Sequence, residues 1–122
     1  MDHVLGPITH EVVNKGLSYA EFRSLTEKLV EQRKTTGANQ SEAYLEYTRL
    51  NHQRMNRWDK TLKISSEMAE LVQSITEPQV WIVITEAWCG DGAQSIPYLA
   101  KLEELNPLIS LRIIMRDEYP EI

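Results

Sequence analysis

The chain has one cysteine among 122 residues, so no disulfide can close within it. It has no apolar run near the roughly 20 residues that a membrane-spanning helix needs. It has no excess of positive charge: the net charge is -5, and nothing global points to nucleic acid. Internal repeats and low-complexity tracts are missing too. The opening residues, Met1 to Pro7, lack the basic and then apolar stretches of a secretory signal. A lone cysteine and no signal together give the expectation of a reducing cytoplasm. His3, His10 and His52 show no metal-ligand spacing, so neither a metal nor another cofactor is expected.

What is present reads as one soluble globular unit, with 42% hydrophobic and 25% charged residues. Residues 1-15 are mixed and expected to be loosely ordered. Ser18 and Glu21 form a capping box: the serine oxygen takes the N3 amide and the glutamate reaches back. Phe22, Leu25 and Leu29 follow at helical spacing, and Gly37 is expected to end that helix in a left-handed turn. Asn39 or Ser41 then caps a second helix. Its apolar stripe is Tyr44, Tyr47, Met55, Trp58 and Leu62, interrupted by Asn51. The two helices read as an antiparallel pair.

Residues 66-76 predict a third helix, with Met68, Leu71, Val72 and Ile75 on one face and Pro78 beyond its end. Val80 to Ile84 is a short β-branched run that suits a central strand covered on both faces. Gly90 and Gly92 permit a tight turn into a fourth helix, from about Gly92 to Asn106, with Ile96, Leu99 and Ala100 inward. Asn106 and Pro107 stop it, and Ser110 to Met115 is a second strand. Strand, helix, strand implies a parallel pair with a right-handed crossover.

Cys89 falls just after the apolar strand and at the start of the fourth helix. A thiolate there faces unpaired backbone amides and the positive end of the helix dipole, which favours a nucleophile. Trp88 shields one side, and Gly90 lets a partner's backbone approach closely. Asp91 works the other way, because a neighbouring carboxylate disfavours a thiolate. The plainer alternative is a buried, inert cysteine.

Trp88-Cys89-Gly90-Asp91-Gly92 resembles the Trp-Cys-Gly-Pro-Cys motif of thioredoxins. Pro97, eight residues after the cysteine, stands where thioredoxins carry a helix-kinking proline. More narrowly, the chain is similar to bacterial thioredoxin-family proteins with an N-terminal helical extension and a Trp-Cys-Gly-Asp motif. The resemblance covers residues 61-122 and implies an α/β fold: a βαβ half of a thioredoxin-like domain with parallel strands. A helical hairpin, residues 1-60, precedes it. The resemblance also implies thiol-disulfide exchange, with Cys89 as the attacking thiol and Trp88, Gly90, Asp91 and Gly92 as its site.

Three departures shape the expected function. Gly92 occupies the position of the resolving cysteine. Val83 occupies the position of a buried acid. The cis-proline loop, the antiparallel hairpin and the last helix of the family have no counterpart up to Ile122. The expectation is a monothiol redox protein whose Cys89 forms mixed disulfides with protein or low-molecular-weight thiols and cannot resolve them alone. The other readings are a non-catalytic thioredoxin-like binding module, a fragment of a longer protein, and iron-sulfur binding by a monothiol glutaredoxin-like route. The strand at 80-86 would lack a neighbour on one side, so a homodimer is expected.

Arg49, Arg54, Arg57, Lys60 and Lys63 make a basic run opposed by Asp59. It reads as a solvated face, or as a pocket for an anionic thiol or carboxylate. Glu86, three residues before Cys89, is either a proton acceptor or a surface carboxylate at a strand end. Trp58 and Trp81 are expected in the core or at an interface.

Overall fold

A computed structural model describes residues 8-120. The elements run α1 (His10–Asn14), α2 (Tyr19–Glu31), α3 (Glu42–Thr61), α4 (Ser66–Gln73), β1 (Gln79–Thr85), α5 (Gly90–Glu104) and β2 (Ile109–Met115). A single 3-10 turn, Arg116–Glu118, follows β2. β1 and β2 pair in parallel, from Gln79 opposite Ile109 to Thr85 opposite Met115. The α/β class and the parallel strand-helix-strand unit are therefore as the sequence implies.

Local chemistry sets most helix ends. The Ser18 hydroxyl accepts from Glu21 N and the Glu21 carboxylate accepts from Ser18 N, which completes the capping box of α2. Ser41, rather than Asn39, caps α3, and Ser65 caps α4. The end of α2 differs from expectation. It stops at Glu31, and the left-handed residue after it is Arg33 (φ 55°), whose own amide and that of Lys34 turn back onto Val30 and Leu29. Gly37 (φ 83°) lies further on, in the loop before α3, where a side chain would strike Asp117. Its glycine serves a tertiary contact, not a helix cap.

Residues 8-15 are more ordered than their composition suggests. Thr9 caps α1, and Leu17 exchanges two backbone hydrogen bonds of 2.8 Å with Ile113, forming an antiparallel bridge on the outer edge of β2. The rest of the 1-15 reading, residues 1-7, lies outside the described residues.

α2 and α3 are antiparallel. Arg23 of α2 pairs with Asp59 of α3 (3.2 Å), and Thr35, beyond the other end of α2, bonds Thr48. α3 lies along α5, joined by Trp58 Nε1 donating to Gln94 and by Lys101 donating to the Asp59 carbonyl. Phe22, Met55, Ile96, Leu111 and Ile113 fill the space between these helices and the sheet. A second cluster, Val72 with Leu102 and Ile109, seats α4. Buried Asn106 secures it by donating to the carbonyls of Val72 and Ile75, both at 2.9 Å.

Two apolar expectations fail for one reason: each element has packing partners on a single side. Leu71 is 64% exposed, because α4 presents only the side shared by Met68, Val72 and Ile75 to the core. β1 is not covered on both faces. Trp81 and Val83 turn toward α5, while Val80 (53% exposed) and Ile84 (40%) turn outward. The strand with the buried pattern is β2, where Leu111 and Ile113 have no exposure at all. Among the described residues β1 pairs only with β2.

Candidate thiol site

Thr85, Glu86 and Ala87 carry the chain from the end of β1 into the core, and all three are buried. The next residues come back toward the surface. Cys89 occupies the N-cap of α5, half-buried, with its amide bonded to the Glu86 carbonyl (3.0 Å) and no capping bond from its side chain. The first amides of a helix lack intrahelical partners, and none of them is capped by the Cys89 sulfur.

The segment is tied to the helical half of the molecule. Asn51, at the centre of α3 and buried, donates to the Ala87 carbonyl (3.0 Å) and accepts from Arg54 Nη1 (3.0 Å). The Ala87 amide donates to Thr36 Oγ1 (2.8 Å), and the Thr36 hydroxyl in turn donates to Glu86. The other Glu86 oxygen accepts from the Asp117 amide (2.7 Å). Glu86 is thus neither an available proton acceptor nor a surface carboxylate. It is 2% exposed and clamps the loop before α3 to the end of β2.

Trp88 is held on two sides. Its ring stacks on Tyr44 with centroids 4.5 Å apart, and the Arg116 guanidinium lies 5.1 Å from its centroid. Tyr47 continues the aromatic row at 5.8 Å from Tyr44. Between α3 and the Trp88–Asp91 turn runs an open groove of about 430 Å³, with Tyr47, Leu50 and Arg54 on one side and Cys89 on the other. Asp91 is exposed in the first turn of α5.

Gly92 is buried, and a Cβ there would meet Thr85 Oγ1 at 2.5 Å. The space a resolving thiol would need is filled by the end of β1. Val83 packs against the core, so the position of the expected acid is apolar. Pro97 is buried inside α5, which continues through it to Glu104.

A family model described as Thioredoxin matches residues 37–122. The chain belongs to the thioredoxin family. The match takes in α3 as well as the parallel pair, and it carries a thioredoxin-like redox role at the level of the family. No characterised protein and no solved structure matches the chain.

The basic run does not act together. Arg49 pairs with Glu46, and Arg57, Lys60 and Lys63 are exposed on α3 and just after it, leaving Arg54 as the cation of the groove. Sequence reasoning missed Asn51, Thr36 and Tyr44 as supports of the site. Asn51 did leave a signal: a lone amide in an apolar stripe must be hydrogen-bonded when buried. Among the described residues no cluster of three or more His, Cys, Asp or Glu is placed to hold a metal ion. No helix among them is long and apolar enough to cross a membrane.

Proposed function

We propose that this thioredoxin-family chain acts as a monothiol redox module of the cytoplasm, forming mixed disulfides through Cys89. The observation that carries the reading is the half-exposed thiol at the N-cap of α5, uncommitted to any capping bond and open to a groove. The Cys89 thiolate attacks one sulfur of a partner disulfide. A Cys89–partner disulfide forms, the partner's S–S bond breaks, and the other half leaves as a thiolate. Cys89 is oxidised to the disulfide level, and the leaving sulfur is reduced to a thiolate as it takes the electron pair of the broken bond. With glycine at position 92, a second thiol from solution must complete the cycle.

The test is reaction of the full chain with 2,2'-dithiodipyridine, a neutral disulfide whose released thiol absorbs light. Release of one equivalent, with a stable adduct until a thiol is added, is expected. No release under native conditions would establish an inert cysteine. A second equivalent without added thiol would show that another group resolves the adduct.

A further inference from the structure

Four arginines of the helices and the β2 end are engaged close to the site or the hairpin, and one differs from the rest. Arg23 pairs with Asp59, Arg49 with Glu46 and Arg116 with Asp117. Arg54 has no carboxylate within ion-pair distance among the described residues. Among the described residues its one hydrogen bond goes to Asn51, the residue that holds the Ala87 carbonyl two positions before Cys89. That bond uses one N–H of the five a guanidinium offers and fixes where the head sits. A Cβ on Gly90 would lie 3.6 Å from Arg54 Nη1, so the guanidinium stands beside the residue that follows the thiol.

The groove supplies the rest of a small-molecule subsite. Its volume of about 430 Å³ falls within the roughly 300–1,000 Å³ typical of ligand pockets. Tyr44, Tyr47 and Leu50 give it an apolar wall, and the wall ends at a cation. The other charge of the lining is Asp91, which is exposed in the first turn of α5, where the helix dipole offsets it.

From this juxtaposition we infer that the groove selects low-molecular-weight disulfides bearing a carboxylate, with Arg54 as the specificity-determining residue. The inference rests on the reading of Cys89 as the attacking thiol and names its substrate class. The half that stays attached lies along the tyrosine wall with its carboxylate against Arg54. The other half leaves as a thiolate, as in any disulfide exchange. A planar guanidinium engages a carboxylate through two charge-assisted N–H bonds, whereas a neutral hydroxyl accepts without charge and without the two-pronged fit, and an ammonium accepts none.

The experiment compares rates of mixed-disulfide formation for three small disulfides: 3,3'-dithiodipropionate (anionic), cystamine (cationic) and 2-hydroxyethyl disulfide (neutral). The full chain is expected to prefer dithiodipropionate over the neutral reagent by about fivefold, the scale of one solvent-exposed ion pair. Arg54→Gln should abolish the preference, read within each protein as the ratio of the anionic to the neutral rate, and Arg54→Lys should retain part of it. Equal rates with all three, a preference for cystamine, or a preference that survives Arg54→Gln would each overturn the inference while leaving Cys89 as a nucleophile. Loss of the preference in both Arg54 variants would overturn the charge argument. Faster reaction with insulin, a protein disulfide, than with dithiodipropionate would overturn the small-ligand assignment. Failure to react with even the neutral reagent would overturn the reading of Cys89 itself, and this inference with it.

Discussion

Restoring the missing dithiol should fail as a single change and succeed as a double one. Gly92 is three residues after Cys89, so Gly92→Cys recreates the family's pair in sequence. In space, the new Cβ would lie 2.5 Å from Thr85 Oγ1 and 3.4 Å from Ile96 Cδ1. Carbon and oxygen cannot approach so closely, and both neighbours are buried, so the strand end or the first turn of α5 must shift. Overpacking of this kind costs about 1–3 kcal/mol. At about 4 °C per kcal/mol for a chain near this size, the melting temperature of Gly92→Cys should fall by roughly 4–12 °C. Thr85→Ala removes the clashing oxygen at small cost, since its one hydrogen bond, to the Glu86 carbonyl, is long at 3.4 Å. The double variant should therefore recover most of the lost stability, and it alone should gain insulin-reducing turnover. Thermal unfolding of the four proteins under reducing conditions measures the coupling, and reduced insulin measures the gain. Strictly additive effects, or full stability and turnover in Gly92→Cys alone, would refute the steric argument.

Further outcomes follow from the same contacts. Asn51→Ala leaves the buried Ala87 carbonyl without its donor and should cost about 1–3 kcal/mol in denaturant unfolding; a cost near zero would mean that water replaces the amide. His52 is held below its usual pKa of 6.5 by burial and by Arg23, against the opposing pull of Glu27 and Glu31. The unfolded chain then binds more protons near that pH, so the His52 contribution is complete above about 6.5 and is lost as pH falls below it. Melting temperatures between pH 7.5 and 5.5 should drop more steeply for the parent chain than for His52→Gln, and parallel curves would contradict the assignment. Among the described residues β1 pairs only with β2, and its uncovered face carries Val80 and Ile84, so the chain is expected to dimerise. Light scattering should report twice the monomer mass, falling to one chain for Ile84→Lys; a monomer at high concentration would end the idea.

Features set by neighbours in sequence were legible before the structure. The Ser18–Glu21 box needs only its own four residues, and the β-branched run at 80-84 marks its strand by composition alone, although the strand is completed by pairing with β2. Features set by distant residues were not. Gly37 carries a positive φ as expected of a turn glycine, yet its neighbour is Asp117, eighty residues away in sequence. Leu71 obeys the helical period, but period alone does not say how wide a face the core will cover. Leu17 pairs with Ile113 through backbone groups, which carry no side-chain signature. The site divides in the same way. Cys89 and its glycines were readable from the strand-to-helix transition. The supports contributed by α3 and the loop before it, Asn51 and Thr36, depend on how the hairpin docks. Glu86 shows the limit most plainly: three residues from the thiol in sequence, it is turned away into bonds with Thr36 and Asp117.

The central claim is that Cys89 exchanges with a disulfide and then holds its partner. The most direct measurement is the mass of the intact chain after incubation with 2-hydroxyethyl disulfide under native conditions and removal of excess reagent. The account predicts one adduct, mapped to Cys89, that persists until a thiol is added and then disappears completely. A chain that keeps its unmodified mass, and gains the adduct only when denatured, would contradict it.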